Sequence, residues 1–380
     1  MNRETNGQVA HVLTQALKAQ KKISVFGIIL LGTGIAINVL QVTLALLLIG
    51  NRHLFRLANV HFEATFISCL VLVTWILDPS KLIVQGDTNG LFERYNFKGS
   101  ARKQTDGNGV GSANSDESVA LHMLINSLAP GDIKIVLKED LQRLPIFGWG
   151  MRFFEFLFMK RKMAEDKKGM DLVLTRAMND KVPCHLLLFP EGTVLTNDTR
   201  QKSDAFAKKA DLSYAYKYVL VPRVSGFYHT LGLMGAGQPD GVTEIWDVTM
   251  AYPHGIDKYA FDEFSAFKTF LTGDAPHSIF LHVNKIPVSE IPCLPVKGTL
   301  GDSVPLEFNN WMYGQWQKKD DLMANFYKTG SFTQEEPKRV VSIRPYLTDA
   351  LRILVVLVLG YGTLYFVASV GWSYAVKLLV

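Results

Sequence analysis

The amino-acid sequence predicts an α/β domain, a mixed sheet flanked by helices, with apolar membrane helices at the N- and C-terminal ends of the chain. Two observations lead to this class. Apolar runs of strand length alternate with runs of helical length between residues 85 and 300, which predicts strands alternating with helices. Two longer runs without a charged residue, residues 23–50 and 353–376, flank that region and are long enough to cross a bilayer.

Composition and charge restrict the class of protein. With 380 residues, of which 48% are hydrophobic, the chain can bury one large domain and still supply membrane segments. The net charge of +5 is modest and forms no long basic tail, so we expect membrane lipid or a phosphate-bearing substrate as partner and no nucleic acid. Cys69, Cys184 and Cys293 lie far apart, so neither a disulfide framework nor a metal site is indicated, and a reducing, cytosol-facing compartment is expected.

The N-terminal part is interpreted as a polar tail, residues 1–22, followed by a membrane anchor, residues 23–84. Residues 23–50 are 28 uncharged residues in succession. As a helix they would measure about 42 Å, which is too long for a signal peptide and predicts a retained anchor. A second apolar run, residues 64–77, has only 14 residues. A second span and a re-entrant, interfacial or buried helix therefore both stay open.

The C-terminal part is interpreted as an amphipathic connector, residues 301–345, and a transmembrane helix, residues 346–380. Residues 304–327 have aromatic side chains at helical spacing among charges, which predicts a helix packed on the domain or lying on a membrane surface. Residues 353–376 give 24 uncharged residues, a spanning length. Lys338, Arg339, Arg344 and Arg352 precede this run and only Lys377 follows it, so the globular domain is expected to face the cytosol.

Between these ends, run length and alternation predict the elements of the domain, residues 85–300. Strands are predicted at residues 81–84, 132–138, 186–189, 218–224, 244–252 and 278–286. A helix is predicted to begin after Asn114, which has Glu117 at capping-box spacing, and another covers residues 171–178. Residues 143–162 contain a turn that leads into an aromatic-rich helix or strand. Residues 99–115 are rich in Gly, Ser, Asn and Asp and are predicted to form a loop.

The stretch HLLLFPEGT, residues 185–193, carries the first candidate site. Pro190 cannot continue a strand ladder, so the strand ends there and Glu191, Gly192 and Thr193 lie on its exit loop. Open α/β sheets bind ligands outside the carboxyl ends of their strands, so these residues form a plausible polar site. The alternative is an ordinary exit from a strand into a turn.

Four ordered blocks of sequence resemble the glycerophospholipid acyltransferase family, in its lysophosphatidic acid and lysocardiolipin acyltransferase branch. The first is PIFGWG at residues 145–150, followed by FLFMKRK with Phe158 and Arg161. The second is FPEGTVLTND with SDAFA at residues 203–207, the third is VLVPRVSGF with Pro222, and the fourth is AYPHGI at residues 251–256. The resemblance covers about residues 80–295 and the flanking anchors, and the order of the blocks makes the set far more specific than any single block.

The resemblance implies an acyl-CoA co-substrate without a further cofactor, a lysophospholipid acceptor, and a His-x4-Asp pair introduced by Asn. Here Asn114 matches the introducing residue, while Ser115 and Ala120 stand where the histidine and the aspartate are expected. A serine hydroxyl cannot act as a base near neutral pH and an alanine cannot orient one. His122 is the candidate for a substitute base, with an ordinary packed or solvated histidine as the alternative; it shares a helical face with Ser115 but lies about 10 Å further along. The family also places a strand before the pair, where this chain has its predicted glycine-rich loop.

The same resemblance assigns the binding residues. Arg161 would contact the acceptor phosphate through paired donors, with Lys160 and Lys162 beside it, and Phe158 belongs to the same block. Glu191, Gly192 and Thr193 match the block implicated in acceptor binding, and Pro222 shapes a strand end.

Two functions follow as hypotheses. The first is an integral membrane acyltransferase of the endoplasmic reticulum that transfers an acyl group from acyl-CoA to a lysophospholipid. The second is a catalytically impaired member that binds lysophospholipid or regulates an active family member as partner.

Overall fold

A computed structural model of the chain describes residues 2–77, 81–87, 108–113, 133–160, 162–180, 184–253, 259–264, 276–295, 303–342 and 345–379. Nine α-helices lie in these residues: α1 Asn2–Leu47, α2 Arg52–Leu77, α3 Phe147–Phe153, α4 Met163–Asn179, α5 Asn197–Lys209, α6 Val224–Leu233, α7 Ala260–Glu263, α8 Leu306–Thr329 and α9 Leu347–Leu379.

The described strands form one mixed sheet. They are β1 Lys81–Gly86, β2 Asn108–Ala113, β3 Ile133–Lys138, β4 Leu157–Met159, β5 His185–Leu188, β6 Val242–Ala251, β7 Ser278–Pro287 and β8 Arg339–Ser342. Their order is β4-β3-β5-β2-β6-β7-β1-β8. The first five in this order run parallel, whereas β6 with β7 and β1 with β8 are antiparallel pairs. The carboxyl ends of β4, β3, β5, β2 and β6 therefore share one edge of the sheet.

Each face of the sheet is covered by a different set of helices. One face packs against α1, α2 and α9 through a core that includes Ala36, Ile37, Ile67, Leu82, Val84, Ile133, Val248, Leu281, Val283 and Val356. The opposite face packs against α4, α6 and α8 through a core that includes Leu174, Leu186, Leu188, Phe227, Leu231, Ile245, Ile286, Phe308, Met312 and Trp316. Because β5 is buried on both sides, its residues can be a continuous apolar run, as the sequence predicted.

Three helices of the described chain are long and apolar enough to cross a membrane: Gly27–Leu47 in α1, Arg52–Ile76 in α2 and Leu347–Ser373 in α9. They differ in how much protein covers them, since 61% of the α2 window is buried but only 17% of the α9 window. The apolar side chains of α9 therefore remain open to a lipid environment, while those of α2 largely contact protein.

Ion pairs hold α2 against the domain. Arg56 Nε lies 2.9 Å from Glu155 Oε2, and Arg56 Nη1 lies 2.6 Å from Asp180 Oδ2. Further along the helix, buried Glu63 accepts a hydrogen bond from Lys134 Nζ at 3.2 Å. The short apolar run at residues 64–77 is thus the second half of a 26-residue helix whose first half docks on the sheet domain.

Most of the predicted elements are confirmed. The runs predicted as strands at residues 81–84, 132–138, 186–189, 244–252 and 278–286 correspond to β1, β3, β5, β6 and β7. The predicted helix at residues 171–178 is part of α4, and residues 304–327 lie in α8, whose buried aromatic residues pack on the domain. The turn at residues 143–162 leads into both a helix, α3, and a strand, β4. The helix predicted after Asn114 lies outside the described residues.

Three predictions about local structure are wrong. Residues 2–22 continue the backbone of α1 instead of forming a tail, because the apolar helix that follows extends into them. Residues 108–113 of the predicted loop form β2, since pairing with β5 and β6 on both sides outweighs the low strand propensity of its glycines. Residues 218–223 are irregular because a carboxylate of α8, described below, takes the backbone N–H groups that a strand would use.

Candidate functional site

The turn that follows β5 lies at the shared carboxyl edge of the parallel strands. Gly192 N–H donates to Phe189 O at 2.9 Å, which closes a tight turn through Pro190 and Glu191. Gly192 has a φ of +69°, a left-handed conformation that glycine adopts without strain. Pro190 and Glu191 are buried, whereas Gly192 and Thr193 are half-buried. The polar residues that the sequence singled out thus lie together on a rigid turn at the edge of the sheet.

A residue that the sequence analysis did not select, Arg223, is attached to this turn. Its backbone N–H donates to Pro190 O at 2.7 Å. A Cβ built on Gly192 would lie 3.0 Å from Arg223 Nε and 3.1 Å from its Cδ, so the side chain of Arg223 runs directly over Gly192. Buried Pro222 precedes it and brings the third sequence block beside the second.

The irregular segment that carries Pro222 and Arg223 is held by Asp320 of α8. The Asp320 carboxylate accepts backbone N–H hydrogen bonds from Lys217, Tyr218 and Val219 at 2.9, 2.5 and 3.0 Å. It also accepts the hydroxyl of Tyr214 at 3.1 Å. Asp320 is only 3% exposed, so these hydrogen bonds lie away from water and fix the backbone of the segment firmly.

The α5 helix holds the same segment from its other side. Thr196 and Thr199 form a capping box at its start, which fixes how the chain leaves the turn after β5. Ser203 Oγ then accepts the backbone N–H of Val221 at 2.9 Å, and Arg200 Nη1 donates to Tyr216 O at 2.7 Å. The SDAFA part of the second block therefore supports the third block structurally.

The exit of β4 carries the other predicted phosphate-binding residues. The buried carboxylate of Asp166 accepts the backbone N–H groups of Lys160 and Lys162 at 2.7 and 2.9 Å, and so fixes the bend that joins β4 to α4. Their side chains turn to another carboxylate, since Glu165 lies 3.1 Å from Lys160 Nζ and 3.2 Å from Lys162 Nζ. Arg161 lies outside the described residues, and Phe158 packs in the core on the membrane-helix face.

The charges at the β4 exit stabilise each other. The hydrogen bond to Glu165 raises the pKa of Lys160, helped by the charge of nearby Glu139. The same hydrogen bond lowers the pKa of Glu165, and Lys162 adds to this effect. Both shifts favour the charged forms of Lys160 and Glu165, so their ion pair is maintained at neutral pH.

Four predicted residues lie outside the described residues: Asn114, Ser115, Ala120 and His122. The last described residue before them is Ala113, the end of β2. In the described ranges, β2 pairs with β5 so that Ser112 lies opposite Leu188. Residues 108–113 of the predicted loop are thus the strand β2, which corrects the expectation of a loop there.

A buried histidine paired with an aspartate does occur in the described chain, but away from the strand ends. His229 Nε2 lies 2.6 Å from Asp171 Oδ1, which joins α6 to α4. His229 is six residues after Arg223 and Asp171 is nine residues after Lys162, so they lie about 9 and 14 Å along their helices from the residues that precede those helices. This pair links two helices. Among the described residues, no three His, Cys, Asp or Glu side chains could hold a metal ion.

Comparison with known families fits this arrangement. The profile of the acyltransferase family matches residues 113–232, and that of the acyltransferase C-terminus matches residues 269–355. The chain belongs to the acyltransferase family. The first match contains the turn after β5, Arg223 and α6, and the second contains α8 with Asp320.

Relatives with the same domain support the assignment. An uncharacterized acyltransferase of Schizosaccharomyces pombe is 34% identical over 53% of this chain and 54% of its own length. Lysocardiolipin acyltransferase 1 of Mus musculus is 32% identical over 60% of this chain and 54% of its own length. A 2-acyl-1-lysophosphatidylinositol acyltransferase of Saccharomyces cerevisiae is 31% identical over 54% of this chain and 56% of its own length. The match thus spans about half the length of each of these relatives.

The solved structure of the 1-acyl-sn-glycerophosphate acyltransferase PlsC from Thermotoga maritima is a distant match. It aligns with a TM-score of 0.40 and 13% identity, over 77% of this chain and 95% of that one. At this distance the likeness carries no argument about the site.

Proposed function

We propose that this acyltransferase-family protein acts in phospholipid metabolism at a membrane, with a lysophospholipid as acceptor and acyl-CoA as donor. One observation carries the proposal. Glu191, Gly192 and Thr193 lie on the turn after β5 at the carboxyl edge of the sheet, and the segment that carries Pro222 is hydrogen-bonded to this turn, inside the region that matches the acyltransferase profile. The acceptors named for the relatives, lysocardiolipin and lysophosphatidylinositol, favour an acceptor of the same class.

The chemistry needs a base for the acceptor hydroxyl, which is a poor nucleophile until a positioned group removes its proton. The family resemblance places that base at position 115, where this chain has Ser115, two residues after the described end of β2.

The second candidate function is a catalytically impaired member that binds lysophospholipid or regulates an active family member. Ser115 and Ala120 favour it, because neither side chain can perform the work of the expected His and Asp. Loss of a general base typically lowers the rate by ~10²–10⁴-fold, so any transfer that relies on proximity alone would be slow.

We place the domain on the cytosolic side of the endoplasmic reticulum membrane. The basic residues near the start of α9 support this orientation, since Lys338 and Arg339 precede the helix and Arg352 lies near its beginning, whereas only Lys377 lies near its other end.

Acyl transfer by the purified full-length chain, measured across lysophospholipids and acyl-CoA donors, separates the two candidates. The active candidate predicts turnover that disappears in Glu191→Ala and persists in the exposed control Lys202→Ala. The impaired candidate predicts lysophospholipid binding without turnover. A Ser115→His, Ala120→Asp double variant is expected to raise turnover by ~10²-fold or more, because it restores base and orienting carboxylate.

Two results of this assay would count against the proposal. A folded double variant with no gain in turnover would show that the pair belongs at other positions. A wild-type chain that neither transfers acyl groups nor binds any lysophospholipid would refute both candidates. Loss of turnover in His122→Ala would instead identify His122 as a substitute base.

A further inference from the structure

We propose that Arg223 binds the phosphate group of the acceptor lipid. This inference rests on the proposed function and adds a residue that neither the sequence blocks nor the family resemblance assigned. Arg223 follows Pro222 in the third block, and its side chain runs over Gly192 at the turn after β5. It lies at the same edge of the sheet as Glu191.

A phosphate is best bound by charged donors, and no side chain among Glu191, Gly192 and Thr193 carries a positive charge. A carboxylate such as that of Glu191 only accepts hydrogen bonds, and phosphate oxygens also accept them. Glu191 is therefore suited to a hydroxyl of the acceptor and unsuited to its phosphate. A guanidinium offers five donors in a planar fork that matches phosphate oxygens. Arg223 brings such a group to the turn.

The backbone of Arg223 is held in place, while its guanidinium has no ion-pair or hydrogen-bond partner among the described residues. Its backbone N–H is bound to Pro190 O, and the segment before it is held by Asp320 and Ser203. The side chain is exposed, and no described residue accepts a hydrogen bond or forms an ion pair with its guanidinium. A cationic side chain whose backbone and aliphatic part are already held in place loses little conformational entropy when an anion binds.

The lysines at the β4 exit differ from Arg223 in that they already have partners. They lie two strands away from β5, about 10 Å from its exit. Lys160 and Lys162 are already paired with Glu165, and an anion would have to compete with that carboxylate. Arg223 has no such competitor in the described part of the chain. It is therefore the better phosphate ligand of the three.

The test compares two lipids that differ in the phosphate alone. Short-chain lysophosphatidic acid and the matching monoacylglycerol, both below their micelle concentrations, are titrated into the full-length protein by calorimetry. We expect wild type to prefer the phosphate-bearing lipid. Arg223→Gln should weaken lysophosphatidic acid binding about 10- to 100-fold, the range for a charged hydrogen-bond pair, and leave monoacylglycerol binding unchanged. Lys209→Gln, which removes an exposed cation at the far end of α5, should change neither.

Arg223→Lys keeps the charge and the stem but loses the planar fork, so we expect intermediate affinity for lysophosphatidic acid. This variant also serves if Arg223→Gln fails to fold. Unchanged preference for the phosphate-bearing lipid in the arginine variants would overturn the role of Arg223 while leaving the proposed function intact. A wild-type protein with no preference for the phosphate would overturn both.

Discussion

The exits of β5 and β4 carry similar charges but use them differently. At the β5 exit, backbone N–H groups donate hydrogen bonds to Asp320, Ser203 and Pro190 and so hold the chain, while no described residue pairs with the guanidinium of Arg223. At the β4 exit, Asp166 also holds the backbone, but Glu165 occupies the side chains of both lysines. The number of basic residues at an edge therefore does not measure its capacity to bind an anion. What matters is whether the cations already have partners.

The largest effect on this comparison is expected from Asp320→Asn. The substitution removes the charge that the backbone N–H groups of Lys217, Tyr218 and Val219 share, so the β5 exit loses its main support. We expect the free energy of unfolding to fall by about 2–4 kcal/mol, together with loss of lysophosphatidic acid binding. Thermal unfolding of the detergent-solubilised protein measures the first effect and calorimetric titration the second.

The neighbouring Asp321→Asn is the matched control for that variant. Asp321 is exposed and accepts a hydrogen bond only from the Tyr214 hydroxyl, at 2.9 Å, among the contacts of the described chain. Its replacement should lower the melting temperature far less. Equal losses in the two variants would mean that the buried carboxylate has no special part in holding the segment.

A smaller effect is expected from Gly192→Ala. Alanine at a φ of +69° costs about 1–2 kcal/mol, and its Cβ would press on Arg223 Nε at 3.0 Å. The arginine side chain can move aside, so we predict a modest fall in stability with weaker lysophosphatidic acid binding than in wild type. Monoacylglycerol binding should change less, because the displaced group contacts the phosphate.

Gly226→Ala, in the first turns of α6, is the control for this substitution. A Cβ at Gly226 meets nothing within 4 Å, and alanine is a better helix former than glycine. Melting temperature should stay constant or rise, and lipid binding should be unaffected. If Gly192→Ala behaved in the same way, the contact between Gly192 and Arg223 would not matter for binding.

The smallest effect is expected from Glu165→Gln at the β4 exit. Its ion pairs with Lys160 and Lys162 are exposed to solvent, where such pairs contribute little to stability. We expect no measurable change in melting temperature and unchanged lysophosphatidic acid affinity, because phosphate binding depends on the β5 exit. Clearly tighter binding in this variant would show that the released lysines reach the phosphate, and the contrast between the two exits would then be wrong.

Strands bounded by clear breaks were predictable because their signals are local. β5 combines a continuous apolar run with a following Pro190, and β3 alternates between polar and apolar residues, so run length and pattern were sufficient. β2 was missed because Gly109 and Gly111 have no side chain to form a pattern. Its strand state comes from backbone pairing with two parallel neighbours that are distant in sequence.

The residues of the candidate site also fall into two groups, those that could be predicted from sequence and those that only the structure identifies. Glu191 to Thr193 were predictable, since a polar exit loop after a buried strand can be recognised from sequence and a family block coincides with it. Arg223 could not be recognised as a site residue, because it lies within residues 218–224, whose pattern predicted a strand. Its importance depends on contacts with Pro190 and Gly192, about 30 residues earlier, and these contacts exist only in the folded domain.

By itself, the sequence determined the family and the apolar helices at both ends. Each of these is a property of residue type or of local spacing. The tertiary structure decided that α2 docks on the sheet, that Asp320 fixes a segment about 100 residues before it, and that Arg223 stands uncommitted beside Gly192. These are matters of which groups meet in space and which are left without partners, and no pattern along the chain contains that information.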